Sequence, residues 1–186
     1  PSEPPVDTPI SGLNQSSAPS QLLKPSDRPT ITSVESLNLM LWVGEKNWFL
    51  SDGDSEFPEQ IKQQLLLNIA SALGENTESS AVMCFKWPFF GNKRLPGHDP
   101  GSMLRLVREW LGEQVKSDHL TGFLLGDKIA GLLSEQSRLN TGEKMQELAI
   151  SDERAINVVE TLSLNDMLRE PLSKRRVWQQ MSPYRL

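Results

Sequence analysis

The chain has few of the residues that build disulfides, metal centres or redox sites. It contains one cysteine, Cys84, and two histidines, His98 and His119, among 186 residues. One thiol cannot form an internal disulfide or a cysteine-ligated zinc site, so we expect Cys84 to be buried and reduced in a cytoplasmic protein. Neither histidine has a second ligand at metal-binding spacing, so we expect no metal and no cofactor.

Long apolar runs and positive charge are also scarce. No stretch approaches the roughly 20 apolar residues that cross a bilayer, so no membrane contact is expected. Lys and Arg number 19 against 24 Asp and Glu, which gives a net charge of −5. Because sequence-independent binding of nucleic acid relies on Lys and Arg, direct binding should be weak or absent. Lys174, Arg175 and Arg176 are expected to form a solvated helix face, with a phosphate contact as the alternative.

The N-terminal residues 1–32 are rich in Pro, Ser, Thr and Gln. Such a composition cannot bury enough apolar surface to offset its ordering entropy, so it predicts a disordered linker. Its one apolar pair, Leu22 and Leu23, is a candidate docking motif, and a tail without function is the alternative. The remaining residues, 33–186, are enough for one domain.

Apolar runs that read as strands recur along this domain. Residues 37–43 and 48–50 predict a hairpin, and the continuously apolar run at 81–85 predicts a central strand. Runs at 122–126 and 155–159 predict two further strands. Between the last two runs, Asp127 can cap a short helix with Ile129, Leu132 and Leu133, and a polar stretch at 134–147 follows it.

Capping residues predict helices between these strands. Pro58 suits the first position of a helix that Gly74 ends, and Asp99 caps a second helix. Ser163 begins a capping box with an aspartate in its fourth place, and Ser173 can cap the last helix. The core stripe of the first helix is predicted at i+4 spacing, at Ile61, Leu65, Ile69 and Leu73, and Leu66 and Ala70 widen it.

Strands that alternate with helices in this way predict an α/β fold. We expect a three-layer αβα domain with a mostly parallel central sheet, in which the N-terminal hairpin adds an antiparallel edge.

Three segments in order resemble the uracil-DNA glycosylase superfamily. Residues 123–133, with Leu-Leu-Gly before Ala and a second Leu pair, are similar to one family element. Residues 161–178, with Thr-Leu-Ser, Met-Leu, Pro, Lys and Trp at the family's spacing, are similar to its "HPS…LL…P…K…W" element. Trp87-Pro88 before the Asp99-Pro100 helix gives the third match. The resemblance covers roughly residues 35–182 and implies the same glycosylase-like fold.

The departures from that family fall on its catalytic positions. The histidine that supports the departing base is replaced by Thr161, and the water-orienting position falls in the loop of Asp52 and Asp54. This loop lacks the Gly-rich pattern with which the family approaches a phosphate, and it lacks the family's aromatic residue that contacts the base. One cysteine also excludes the iron–sulfur branch. Loss of one essential catalytic group costs several powers of ten in rate, so we expect no enzyme here.

A non-catalytic branch with these features exists, the psi subunits of bacterial DNA polymerase III holoenzyme. The chain is similar to them in size, in lost catalytic residues and in its linker-like front end. This resemblance implies that it binds the chi subunit, which contacts single-stranded-DNA-binding protein, and reaches the clamp loader through its N-terminal segment. Two alternatives stay open: a divergent glycosylase in which Asp52 or Asp54 orients water, and a scaffold in another bacterial complex.

Aromatic and apolar side chains are the candidates for partner contact, because such anchors dominate interface energy. The alternative for the aromatic group at the end of the 81–85 strand is the core. The candidates are Trp87, Phe89, Phe90, Trp178, Leu22 and Leu23.

Overall fold

The computed structural model describes residues 36–54, 56–78, 80–89, 99–134, 145–151 and 153–185, so the predicted linker lies outside the described residues. The described residues form six strands and five α-helices. The strands are β1 Leu37–Val43, β2 Asn47–Asp52, β3 Met83–Trp87, β4 Thr121–Leu125, β5 Gln146–Ala149 and β6 Ala155–Thr161. The helices are α1 Glu59–Ala72, α2 Pro100–Gln114, α3 Asp127–Ser134, α4 Leu164–Arg169 and α5 Pro171–Met181.

All six strands belong to one mixed sheet with the order β3-β1-β2-β4-β6-β5. The centre is parallel, because β4 pairs in parallel with both β2 and β6. The outer pairings, β1 with β2, β1 with β3, and β5 with β6, are antiparallel. Strands β2, β3, β4 and β6 therefore run in one direction. The prediction of a mostly parallel sheet is confirmed for the direction of four strands and for the two central pairings. The other three pairings are antiparallel.

Helices cover both faces of the sheet, as the three-layer prediction requires. On one face, β-strand residues such as Leu41, Trp48 and Leu124 pack against α2 and α3. On the other face, Phe49 and Phe123 stack with ring centroids 5.1 Å apart and pack against α1, α4 and α5. None of the helices in the described parts of the chain is long and apolar enough to cross a membrane.

The edges of the sheet differ from the prediction. The N-terminal hairpin is confirmed, but β1 is not an edge, because β3 pairs along its other side. The predicted central strand at 81–85 is therefore wrong, since β3 is the outermost strand. Phe85 and Trp87 face the core, whereas Cys84 and Lys86 are exposed. The predicted burial of Cys84 is wrong for the same reason.

Most capping predictions are confirmed. The Asp99 carboxylate accepts from the Ser102 N–H at 2.8 Å, and Ser163 forms the capping box with Asp166. Gly74 follows α1 with φ 95°, a conformation that a side chain would disfavour.

Two helix starts and one strand differ from the sequence prediction. Pro58 is the N-cap of α1 rather than its first residue. The helix α5 begins at Pro171 with Glu170 at its N-cap, so Ser173 does not cap it. Strand β5 was missed, because it is a short edge strand in which only Leu148 is buried.

Candidate functional site at the carboxyl edge of the sheet

The three parallel strands end at one edge of the sheet. After β2 the chain enters α1 on one face, and after β4 it enters α3 on the other face. This reversal between β2 and β4 is a topological switch point, the place where open α/β sheets bind ligands. The sequence-predicted positions Asp52 and Thr161 are the last residues of β2 and β6. The fold therefore brings both predicted positions to the edge where a catalytic site would lie.

The acidic loop after β2 is matched by a lysine from α3. The Nζ atom of Lys128 lies 2.8 Å from Oδ2 of Asp52 and 3.8 Å from Oδ2 of Asp54. The other oxygen of Asp52, Oδ1, accepts from the Asp54 N–H at 2.9 Å. Both oxygens of Asp52 are thus engaged within the protein. Lys128 is half-exposed, so the ion pair contributes less than about 1 kcal/mol to stability.

A second lysine lies under the same loop. Lys62 of α1 is 1% exposed, and its Nζ donates to the main-chain carbonyls of Gly53 and, at 3.5 Å, of Asp52. Burial lowers the pKa of Lys62, although the carboxylates of Asp52 and Asp54 oppose the shift. The buried amine holds the backbone of the loop, and sequence analysis missed it.

The reason for that miss is the register of α1. Its buried residues are Lys62, Leu66 and Ala70, so the two residues predicted to widen the stripe are in the core, whereas Ile61 and Leu65 are exposed or only partly covered. A lysine at apolar spacing is normally placed outside a core. The centre of the buried face is therefore shifted by one residue from the predicted one.

Thr161, which the sequence resemblance predicts to replace a catalytic histidine, has a partner inside the protein. It is 6% exposed, and its hydroxyl donates to Oε1 of Gln180 in α5 at 2.7 Å. The Thr161 carbonyl accepts from the Gly126 N–H at 2.9 Å. Gly126 has φ 112°, and a Cβ there would lie 2.9 Å from Cβ of Ser163. The loops after β4 and β6 are therefore tightly packed around Thr161.

The acidic loop is also tied to α4. Glu56 pairs with Arg169, and both side chains are more than half exposed. Across this edge the carboxylates of Asp52, Asp54 and Glu56 each lie beside a cation from another element. These ion pairs bind the loop to the rest of the domain. A carboxylate that activates water, in contrast, needs a free oxygen directed at the water.

The aromatic candidates separate into buried and exposed groups. Trp87 is 5% exposed and belongs to the core, which leaves little of its side chain for a partner. Phe89 is 58% exposed and contacts Phe85 edge-on at 5.5 Å, and Trp178 is 38% exposed on α5. Phe90, Leu22 and Leu23 lie outside the described residues.

Cys84 is exposed on β3, and its thiol donates to Oε1 of Glu59 at 3.4 Å. Desolvation against α1 raises the pKa of this thiol above its ordinary value of 9.0, and Glu59 raises it further.

We expect Cys84 in the native protein to react slowly with iodoacetamide at pH 7 and faster as the pH rises, because only the thiolate reacts. Glu59→Gln removes a negative charge beside the sulfur, so it should speed the reaction severalfold at pH 8. Mass spectrometry of the time course measures both rates, with urea-unfolded protein as the reference. An equal rate in Glu59→Gln and wild type would show that the carboxylate does not control the thiol.

Comparison of the chain with protein-family models, with curated proteins and with solved structures gives no match in any of the three.

Proposed function

We propose that this chain is a non-catalytic interaction subunit of the psi type. In this proposal it binds chi, connects single-stranded-DNA-binding protein to the clamp loader through chi, and serves bacterial DNA replication. Its N-terminal residues 1–32 are assigned the contact with the clamp loader.

One observation carries the proposal: Asp52 and Thr161, two of the three positions that correspond to the catalytic residues of base excision, are engaged within the protein. Asp52 is bound by Lys128 and by the Asp54 N–H, and the Thr161 hydroxyl is bound by Gln180. Threonine carries no positive charge, so it cannot support the negative charge that develops on a departing base. A domain of this kind is suited to docking rather than to cutting a glycosidic bond.

Surface charge and exposed aromatics support the same proposal. The net charge of −5 opposes sequence-independent binding of nucleic acid, so an indirect link to DNA through a partner fits better. Phe89 and Trp178 remain exposed as candidate anchors for that partner.

Co-expression with chi from the same bacterium tests the proposal. We expect chi to elute with this chain as one complex in size-exclusion chromatography at micromolar concentration. The matched variants Phe89→Ser and Met145→Ser each remove an exposed apolar side chain. Only Phe89 is a proposed anchor, so only Phe89→Ser should weaken the co-elution of chi.

Separate elution of chi would contradict the proposal. Uracil release from DNA would also contradict it, if Asp52→Asn abolished that release. That second result would favour the divergent glycosylase, because Asp52 lies at the carboxyl end of β2 as a water-orienting group must.

A further inference from the structure

The one-residue shift in the buried face of α1 leaves apolar side chains on the surface. Ile61 is 48% exposed, and Leu65 is only partly buried. They face a groove of about 350 Å³ between α1 and the α4–α5 segment. Leu168 completes its apolar wall, Gln60 and Gln64 line it as polar groups, and Lys174 of α5 borders it.

The α5 side of this groove carries three consecutive cations, Lys174, Arg175 and Arg176. Residues 164–186 hold five Lys and Arg against two Asp and Glu, a net charge of +3, which leaves −8 for the rest. Lys174, Arg175 and Arg176 are all exposed. Within the described parts of the chain, none of these three takes part in an ion pair. Their charge is therefore available to a partner.

More exposed apolar surface lies on the same helix. Leu172, two residues before Lys174, is 74% exposed, and Trp178 is 38% exposed. Exposed apolar side chains beside unpaired cations are typical of a protein-binding surface, since apolar anchors supply affinity and charge supplies orientation.

We propose that the groove between α1 and α4–α5 binds an acidic segment of a partner protein. The segment places apolar side chains against Ile61, Leu65 and Leu168, and its Asp or Glu residues meet Lys174 at the border of the groove. An amphipathic helix in a groove is the common form of such binding. Nucleic acid fits less well, because half of the site is an apolar groove and the rest of the chain is acidic.

This inference adds a place and a partner chemistry that the psi-type function does not require. It is tested without chi, so either proposal can fail alone.

The test uses fluorescence anisotropy with three labelled probes and the full chain. The first probe is a peptide of about 16 residues with Leu at helical spacing and Glu at most other positions. The second replaces each Glu by Lys, and the third is a single-stranded oligothymidine. We expect saturable binding of the acidic peptide alone, weakening as salt is added, because salt screens exposed charges.

Matched variants locate the site. Lys174→Glu should weaken binding of the acidic peptide by about tenfold, whereas Lys116→Glu, the same charge change at another exposed lysine, should change it less than about twofold. Likewise Ile61→Ser should weaken binding severalfold, whereas Met145→Ser, which also removes an exposed apolar side chain, should not. Circular dichroism checks that each variant keeps its fold.

Three results would overturn the proposal. The first is equal or tighter binding of the basic peptide or the oligonucleotide. The second is absence of binding of the acidic peptide to the folded wild type. The third is binding that Lys174→Glu and Ile61→Ser reduce no more than their matched controls do.

Discussion

Glu75→Ala is expected to lower the free energy of unfolding by about 4 kcal/mol, one of the two largest effects of a single substitution that we predict. Glu75 follows α1 and is 6% exposed. Its carboxylate accepts from the backbone N–H groups of Glu45, Lys46 and Asn47 at 2.8, 3.1 and 2.8 Å. It also accepts from the side-chain amide of Asn47 at 3.0 Å.

The cost arises from the donors that the substitution leaves behind. Three N–H groups of the β1–β2 turn converge on one carboxylate, and Asn47 is 2% exposed. A buried donor without a partner costs about 1–3 kcal/mol, and hydrogen bonds to charged groups are the stronger kind. Alanine offers no acceptor, so the turn that joins the two strands loses the group that holds it.

Urea unfolding followed by tryptophan fluorescence measures this loss. The matched control is Glu78→Ala, which removes an exposed glutamate three residues later and should change stability by less than about 0.5 kcal/mol. Glu75→Gln keeps one acceptor and should fall between the two. Equal midpoints for Glu75→Ala and Glu78→Ala would show that the carboxylate does not hold the turn.

Gly122→Ala is the second large effect, with an expected loss of about 3 kcal/mol or more. Gly122 lies in the central strand β4, directly opposite Trp48 of β2. A Cβ at this position would lie 2.2 Å from Cζ2 and 2.3 Å from Cε2 of Trp48, which is fully buried. Since the ring lies among core residues, it cannot move aside without displacing other side chains.

Gly131→Ala is the matched control for that substitution. It adds the same methyl group to a glycine of α3, where no described residue outside that helix's own backbone lies within 4 Å of the new Cβ. Alanine favours helix over glycine, so this variant should gain up to about 1 kcal/mol. The midpoint of thermal unfolding should therefore fall in Gly122→Ala and rise in Gly131→Ala. A wild-type midpoint for Gly122→Ala would mean that Trp48 does not occupy the position described.

Local signals in the sequence predicted the local structure well. The capping box at Ser163 and the cap at Asp99 depend on residues three positions apart, so the chain itself contains both partners. The hairpin and the strand at β4 were predicted for a similar reason, since their apolar patterns are short and continuous. The glycine after α1 also ended the helix where the sequence indicated.

Features that depend on sheet order were not predictable in the same way. The apolar run around Cys84 has the composition of a central strand, yet among the described strands β3 pairs with β1 alone, and it exposes one face. The burial of Lys62 was missed because its partners are main-chain carbonyls of the β2 loop, which carry no sequence signal. Such contacts exist only after distant segments have packed together.

In the candidate site, too, some features were predictable from the sequence and others depended on how the chain packs. Its position was predicted, because Asp52 and Thr161 each end a strand and parallel strands share one edge. Their partners were not, because Lys128 and Gln180 come from helices whose faces are set by the order of the strands. These unpredicted partners are the residues on which the non-catalytic interpretation depends.

We propose above all that a domain resembling the base-excision glycosylases acts as a docking subunit. Calorimetric titration of the full chain with chi from the same bacterium tests it most directly. We predict a saturable heat with one chi per chain and a Kd in the micromolar range or tighter, about −8 kcal/mol or more favourable. Absence of heat at micromolar concentrations of both proteins would contradict the account.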